Sequence, residues 1–455
     1  RHSFFIIKGI DNGGIPMYKE TAKLILYRSF GDHSILSELS KIFHDFDAKT
    51  AEDAELIERI YTQIKALLDL ATSYGFDENL WHNYLTFLLL MNENSFSLVS
   101  EKSPVQDGSV HHFAKNDFRV VKRLFDFDFH PIEKALGIDC FSTISNYKVV
   151  AKKERMYNRN VSAMVQRISR SIETAADEEE IFQIITTFYQ EYGVGMFGLN
   201  KAFRIRSCEN GDVEFLPINN MDSVVLDDLI GYQMQKDMLR ENTQAFVEGR
   251  NANNALLYGD SGTGKSTSIK AIVNEYYKDG LRMIEIYKHQ FKDLSTIISH
   301  IKNRNYRFII YMDDLSFEEF EIEYKFLKAV IEGGVETKPD NVLIYATSNR
   351  RHLVRETWKD RNDINDDDEL HHSDTMQEKL SLVARFGLSI CYERPNQKNY
   401  FEIVTELAKQ YPEITLSEEE LQAEARKWGL GHGGNSGRAA QQLINYLSGR
   451  SGLKT

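Results

Sequence analysis

The chain has 455 residues, 42% of them hydrophobic and 27% charged, which excludes a disordered or fibrous protein and predicts two or three compact units. The net charge of −13 argues against a surface that wraps nucleic acid, and no apolar run reaches the roughly 18 residues of a membrane-spanning helix. Cys140, Cys208 and Cys391 lie far apart without metal-binding spacing, which predicts free thiols in a reducing, cytoplasmic compartment.

Residues 1–200 are predicted to form a mainly helical region. Apolar residues recur at intervals of three and four in stretches such as 56–74, 80–90 and 161–172. Turn-rich sequence at 92–110 and around Gly137 predicts breaks between groups of helices. No motif identifies what this region binds, so its expected role is to hold an unknown client or partner.

A β-hairpin is predicted next, because the apolar period changes to two on either side of the turn dipeptide Asn210-Gly211. We expect residues 201–222 to be a hairpin linker between the helical region and the rest of the chain.

Short apolar strands then alternate with amphipathic helices, a pattern that predicts a parallel sheet with helices on both faces over residues 223–394. Residues 395–455 turn helical again and predict a small three-helix domain, with candidate helices at 397–410, 417–427 and 438–447. The polar segment 356–377 has no periodicity and is predicted to be a mobile loop, in which His371 and His372 lack the spacing of a metal site. The strand candidates are 255–258, 283–287, 308–312, 342–346 and 388–392.

A glycine-rich stretch between the first of these strands and the next helix matches the pattern GxxxxGK[ST] at every position. Glycines let successive backbone N–H groups turn toward phosphate oxygens, and the following helix adds its positive end. Lys265 is predicted to contact the β- and γ-phosphates of ATP, and the Ser266 hydroxyl to ligate Mg²⁺. A bare glycine turn would need neither side chain. The predicted nucleotide-binding residues are Gly259, Asp260, Ser261, Gly262, Thr263, Gly264, Lys265, Ser266 and Thr267.

Two carboxylates, Asp313 and Asp314, follow the buried strand candidate 308–312. The carboxyl ends of the strands are the edge at which ligands bind in doubly wound sheets. We expect Asp313 to coordinate Mg²⁺ and Asp314 to orient or polarise the attacking water. A solvated turn after a strand is the alternative interpretation of this pair.

With these motifs placed, residues 224–447 resemble the AAA+ ATPases, and within them a bacterial family described only as ATP-binding. The resemblance implies a P-loop α/β fold, a doubly wound parallel sheet with a C-terminal helical lid. It also implies that Ile230 and Gly231 line the adenine pocket, although an ordinary strand-to-helix turn would have similar residues. One position departs from the commonest AAA+ pattern, since Asp314 stands where glutamate is usual.

The same resemblance implies three further catalytic residues. Asn349 occupies the position of sensor 1 and would hold the attacking water or the γ-phosphate, although it could simply cap a helix. Arg385 resembles an arginine finger that reaches a neighbouring subunit's site, with a surface salt bridge as the alternative and Arg394 as a second candidate. Arg438 resembles sensor 2 and would touch the γ-phosphate from the lid.

The sequence therefore predicts an ATPase that binds ATP and Mg²⁺, forms an ATP-dependent homo-oligomer and acts on an unknown protein or nucleic-acid client. The alternative is a nucleotide-gated switch that seldom hydrolyses ATP, and a small-molecule kinase is a weaker third hypothesis because the lid has no place in it. Nucleic-acid binding is not favoured, because basic clusters such as 152–155 with Arg159, and Arg204 with Arg206, are typical of solvated surfaces.

Overall fold

In the computed structural model the chain folds into two compact units, Arg1–Asn200 and Lys201–Thr455. No helix in the described part of the chain is long and apolar enough to cross a membrane. The polar segment 356–377, with His371 and His372, lies outside the described residues, as does the basic cluster 152–155. The structure describes residues 16–28, 34–102, 108–148, 159–219, 221–317, 323–332, 339–349 and 385–451.

The first unit is helical, as predicted, and its described residues form eleven helices around one apolar core. Trp81, Phe118 and Phe141 are among its fully buried side chains. The helices are α1 Met17–Thr21, α2 Ile35–Ala48, α3 Asp53–Tyr74, α4 Leu80–Met91, α5 Ser95–Lys102, α6 Ser109–Phe125, α7 His130–Leu136, α8 Cys140–Ser145, α9 Arg159–Thr174, α10 Glu178–Glu191 and α11 Gly195–Leu199.

One predicted break is wrong, because the stretch 92–110 contains helix α5. The Asn94 side-chain oxygen accepts hydrogen bonds from the backbone N–H groups of Phe96 and Ser97, at 2.9 and 3.0 Å. Such a cap starts a helix among residues that otherwise favour turns. The predicted break at Gly137 is confirmed, since α7 ends there on a residue with a φ of 67°.

The second unit is built on a seven-stranded sheet with the order β2-β1-β4-β5-β6-β3-β7. All neighbours pair in parallel except the β1–β2 hairpin. The parallel strands therefore end at one common edge of the sheet. The strands are β1 Ala202–Ser207, β2 Val213–Pro217, β3 Ala255–Gly259, β4 Leu281–Glu285, β5 Arg307–Met312, β6 Val342–Ser348 and β7 Leu388–Tyr392.

Helices cover both faces of this sheet. The crossover through α13 (Lys265–Tyr276) leads from β3 to β4, in the opposite direction to the crossovers through α14 (Leu294–Ile301) and α15 (Glu323–Glu332). Because parallel crossovers are right-handed, these connections place α13 on one face and α14 and α15 on the other. The helix α12 (Gln233–Val247) shares an apolar cluster with α13.

The predicted hairpin forms, but it is part of the sheet rather than a separate linker. Strand β1 pairs in parallel with β4, with Ala202 opposite Met283. Ala202 and Phe203 are fully buried as a result. The hairpin thus forms one edge of the seven-stranded sheet.

Three helices close the chain and share their own apolar cluster. They are α16 Gln397–Ala408, α17 Glu418–Gly431 and α18 Gly437–Ser451. Together with the parallel sheet, they confirm the predicted fold class: the second unit is an α/β domain with a mostly parallel sheet and a C-terminal helical lid, preceded in the chain by a helical unit.

Candidate functional site

The predicted phosphate loop joins the end of β3 to the start of α13, at the carboxyl edge of the sheet. The loop needs glycine at Gly259, which has a φ of 129° and lies against the neighbouring strand β7. A Cβ atom there would stand 2.2 Å from the Tyr392 carbonyl oxygen. The next residue, Asp260, donates its backbone N–H to the same carbonyl at 3.0 Å, so the loop is fixed to β7 from its first turn.

Replacing Gly259 by alanine is expected to destabilise the protein by roughly 2–4 kcal/mol, because the new methyl group meets backbone that cannot move away. Gly280 is a matched control, with a φ of 88° but no atom within 4 Å of an added Cβ. Gly280→Ala should cost only about 1–2 kcal/mol of backbone strain. Urea denaturation measures both losses. Equal losses in the two variants would contradict a steric role for Gly259.

Lys265 is the first residue of α13, and its side chain is only 6% exposed. Its Nζ donates to the carbonyl oxygens of Gly259 and Asp260, at 2.9 and 2.6 Å, and to Asn349 Oδ1 at 3.1 Å. Burial lowers the pKa of the Lys265 ammonium, and the Asp260 and Asp314 carboxylates oppose that shift. The ammonium is thus held over the loop by acceptors that phosphate oxygens can replace.

Ser266 and Asp313 meet at the same edge. Ser266 Oγ donates to Asp313 Oδ1 at 2.7 Å, and Thr347 Oγ1 donates to the same carboxylate oxygen at 2.5 Å. Partial desolvation opposes ionisation of Asp313, but these hydrogen bonds outweigh it and hold the pKa of Asp313 below its usual value. A hydroxyl and an ionised carboxylate are hard oxygen ligands, so the pair fits Mg²⁺. Among the described residues, no group of three or more His, Cys, Asp or Glu could hold a metal ion.

Asp314 is held beside this pair by two neighbours. Its backbone N–H donates to Thr347 Oγ1 at 2.9 Å, and its Oδ1 accepts from Asn349 Nδ2 at 2.8 Å. With a φ of 50°, Asp314 lies in the left-handed region, where Asp and Asn are the best tolerated side chains after glycine. Asn349 therefore connects Lys265 to Asp314, using its oxygen for one and its amide N–H for the other.

Thr347 was not predicted as a site residue, although a signal for it exists. It stands two positions before Asn349, and residues two apart in a strand face the same side of the sheet. Because β5 and β6 are neighbours, a hydroxyl at position 347 lies where it can reach the residues that follow β5. The alternation of side chains along β6 could therefore have identified Thr347 as a site residue from the sequence.

The lid contacts the phosphate loop directly. The backbone N–H of Arg438 donates to the Gly262 carbonyl at 3.2 Å, and a Cβ atom on Gly262 would lie 3.1 Å from Arg438 Cβ. Arg394 adds a second link, since its Nε lies 3.4 Å from Asp260 Oδ1 and its Nη1 donates to the Gly433 carbonyl at 3.2 Å. These contacts within its own chain argue against Arg394 as a trans-acting cation.

A cleft of about 1080 Å³ opens between the phosphate loop and the lid. It is lined by most of the predicted site residues, including Ile230 from the core and Arg438 from the lid. Gly231 lines an adjoining cleft of about 760 Å³ that shares Ile230 with the first. The apolar lid residues Ile403 and Leu407 also line the main cleft and were not predicted, because α16 reaches it only in the folded chain. The predicted residues that line it are Ile230, Ser261, Gly262, Thr263, Gly264, Lys265, Ser266, Thr267, Asp313, Asp314, Asn349 and Arg438.

Arg385 is not among the residues that line the cleft. It lies just before β7, at the edge where the parallel strands begin, whereas the phosphate loop follows their ends. A five-residue strand spans about 16 Å, which is more than an arginine side chain can cover. Arg385 therefore does not reach the phosphate loop of its own chain.

The sequence of residues 199–451 matches the family model described as "Protein of unknown function (DUF815)". The Thermotoga maritima RuvB Holliday junction branch migration motor is 16% identical over 49% of this chain and 63% of its own, with a TM-score of 0.33. A variant of that protein is 17% identical over 49% of this chain and 64% of its own, with a TM-score of 0.34. The chain thus spans less than two thirds of either structure, and TM-scores of this size say nothing about activity, substrate or partner. No curated protein matches the chain significantly.

Proposed function

The chain belongs to the family of proteins of unknown function DUF815, and from its site we propose that it binds Mg-ATP and hydrolyses it to drive movement of its lid within a homo-oligomer. The observation that carries this proposal is the continuous set of contacts across the cleft. Ser266 meets Asp313 at 2.7 Å, and Lys265 meets Asn349 at 3.1 Å. A structural turn would not need a cation, a hydroxyl and two carboxylates at one edge.

In this proposal each side chain has a separate task in hydrolysis. Lys265 and the loop N–H groups bind the β- and γ-phosphates. Ser266 and Asp313 would hold Mg²⁺, which would neutralise charge on the phosphate oxygens. Asp314 takes a proton from the attacking water, and Asn349 orients that carboxylate through the 2.8 Å hydrogen bond. Arg438 approaches the γ-phosphate from the lid.

Release of inorganic phosphate from Mg-ATP tests the proposal. We expect turnover that depends on Mg²⁺ and is lost with EDTA. A wild-type protein that binds ATP without releasing phosphate would favour the alternative, a nucleotide-gated switch. One observation supports that alternative: Asp314 is a methylene shorter than the usual glutamate, and one of its oxygens is already engaged by Asn349.

We propose that the direct contacts between the lid and the phosphate loop couple nucleotide binding to lid movement. Arg438 bonds Gly262 through the backbone, and Arg394 joins Asp260 to Gly433. Phosphates bound in the loop change the charge that Asp260 and Arg438 face. Binding and release of the γ-phosphate would therefore alter the position of the lid relative to the core.

Arg385 is proposed to act on the site of a neighbouring subunit. Arg385→Ala should lower ATP turnover by about 10³-fold while leaving ATP affinity within threefold, because a trans-acting cation stabilises the transition state rather than the bound substrate. Mixing Arg385→Ala with Lys265→Ala protein provides the sharper test. Arg385→Ala keeps an intact phosphate loop, and Lys265→Ala keeps Arg385. A mixed oligomer can therefore combine the two parts at one subunit interface and should regain part of the turnover.

The control for this prediction is Arg250→Ala, which removes an exposed arginine whose only ion pair within the described residues is with Glu248. Its turnover should match the wild type. Sedimentation with and without Mg-ATP reports the expected assembly. Unchanged turnover in Arg385→Ala, or mixed samples without recovery, would contradict the trans role.

A protein client is favoured over nucleic acid. The arginines of the hairpin are neutralised, since Arg204 pairs with Glu285 at 2.7 Å and Arg206 with Glu214 at 3.0 Å. Phosphate binding requires cations that are available to the ligand. The hairpin is therefore not proposed as a nucleic-acid site. As a separate proposal, the helical unit Arg1–Asn200 holds a protein client.

A further inference from the structure

The lid supplies three glutamines to the main cleft: Gln410, Gln441 and Gln442. Gln441 is about one helical turn beyond Arg438 on α18. The side chains of Gln410 and Gln442 make no hydrogen bond within the described residues, whereas Gln441 is held in one orientation. This difference makes Gln441 the one glutamine prepared to recognise a defined ligand group.

The Gln441 amide is oriented by two neighbours in the lid. Its Nε2 donates to Tyr411 Oη at 3.3 Å and to Asn445 Oδ1 at 3.0 Å. A primary amide has two N–H groups, so these bonds use both donors. No described residue donates to Gln441 Oε1. The polar atom that Gln441 offers to the cleft is therefore an acceptor.

Apolar side chains on both sides of the cleft indicate where a base would lie. Ile230 contributes from the core and Ile403 and Leu407 from α16, and all three line the same cleft as Gln441. Apolar walls with a single oriented polar group are typical of sites that bind a flat heteroaromatic ring and select one edge of it. Gln441 lines the same cleft as these apolar side chains, so its oxygen is the oriented polar atom available to such a ring.

We propose that Gln441 selects 6-aminopurine nucleotides by accepting a hydrogen bond from the 6-amino group of adenine. Adenine presents a donor at this position, whereas guanine and hypoxanthine present an acceptor. Two facing acceptor oxygens repel each other, so the site rejects GTP and ITP. This inference rests on the proposed binding of Mg-ATP and names the side chain that selects the adenine base.

The test compares affinities of the full chain for Mg-ATP and Mg-ITP, which differ in the group at C6. Wild-type protein should prefer ATP by about tenfold or more, as expected for one lost hydrogen bond and one unpaired acceptor. Gln441→Leu should bring the two dissociation constants to within about threefold, mainly by weakening ATP. Gln422→Leu on the neighbouring helix α17 is the matched control and should keep the preference, since Gln422 does not line the cleft.

A second variant tests the orientation of the amide. Asn445→Asp places a carboxylate, which can only accept, beside Gln441 Nε2, so the Gln441 oxygen should still face the cleft and the preference for ATP should remain. Loss of the preference in Asn445→Asp would overturn the inference, as would loss in Gln442→Leu with Gln441→Leu unaffected. The inference also fails if Gln441→Leu leaves the preference for ATP over ITP unchanged but alters the affinity for 2′-deoxy-ATP relative to ATP. Gln441 would then bind the sugar rather than the base. Wild-type protein that binds neither ATP nor ITP would overturn the proposed function itself, and this inference with it.

Discussion

Lys265→Ala should lower the affinity for Mg-ATP by at least about 100-fold, the largest binding effect expected for any single change in this chain. The lysine ammonium lies over the phosphate loop, within 2.9 Å of the Gly259 carbonyl oxygen and 2.6 Å of that of Asp260. Two charge-assisted hydrogen bonds to phosphate contribute on the order of 3–5 kcal/mol together. Alanine removes the charge and both bonds.

Titration calorimetry with Mg-ATP measures this loss. Lys278→Ala, which removes an exposed lysine just beyond the far end of α13, is the matched control and should bind ATP like the wild type. Far-UV circular dichroism would show that both variants keep their helices. A dissociation constant for Lys265→Ala within threefold of the wild-type value would exclude the phosphate loop as the nucleotide site.

The sheet could be predicted in its elements but not in its connections. Buried parallel strands are continuous apolar runs, and for this reason the candidate 308–312 lies within one residue of the observed strand Arg307–Met312. The pairing of β1 with β4 had no local signal, because Ala202 and Met283 are distant in sequence and meet only in the sheet. Topology is a property of the whole sheet, whereas an apolar run is a property of one strand.

Strand β4 shows why apolarity alone misplaces a boundary. Residues 283–287 were predicted, whereas the strand is Leu281–Glu285. Hydrogen bonding to β5 sets these limits, with Leu281 opposite Arg307 and Glu285 opposite Tyr311. Ile286 is buried beyond the end of the strand, so it extends the apolar run without extending the strand.

The candidate site was predictable where its residues are contiguous. The phosphate loop is one segment, and its residue types state its chemistry directly. The lid residues Ile403, Leu407 and Gln441 reach the same cleft from two helices that only folding brings to it. Their residue types are also ordinary for lid helices, so no pattern in the sequence separates them from a packed core or a solvated surface.

The second large effect is expected at Asp314. Asp314→Asn should lower ATP turnover by about 10²–10⁴-fold, the usual contribution of a general base, and leave ATP affinity within threefold. Asparagine keeps the size of the side chain, and the left-handed backbone at this position, with a φ of 50°, tolerates it. The asparagine side-chain oxygen can still accept the hydrogen bond from Asn349 Nδ2. The change thus removes the basicity and the negative charge of the group but keeps its size and its hydrogen bond to Asn349.

Asp313→Asn provides the contrast, because it removes a charge from the Mg²⁺ site rather than the base. That variant should require more Mg²⁺ for ATP binding, whereas Asp314→Asn should show the wild-type Mg²⁺ dependence. The roles of the two neighbouring carboxylates are thereby assigned by different measurements, phosphate release for Asp314 and Mg²⁺ titration for Asp313.

Asp314→Asn should also accumulate in the ATP-bound state, so a tagged variant retains both the assembled oligomer and its client during purification. Full turnover in Asp314→Asn would show that another group activates the water, and Asp314 would then serve only to hold Asn349 in place.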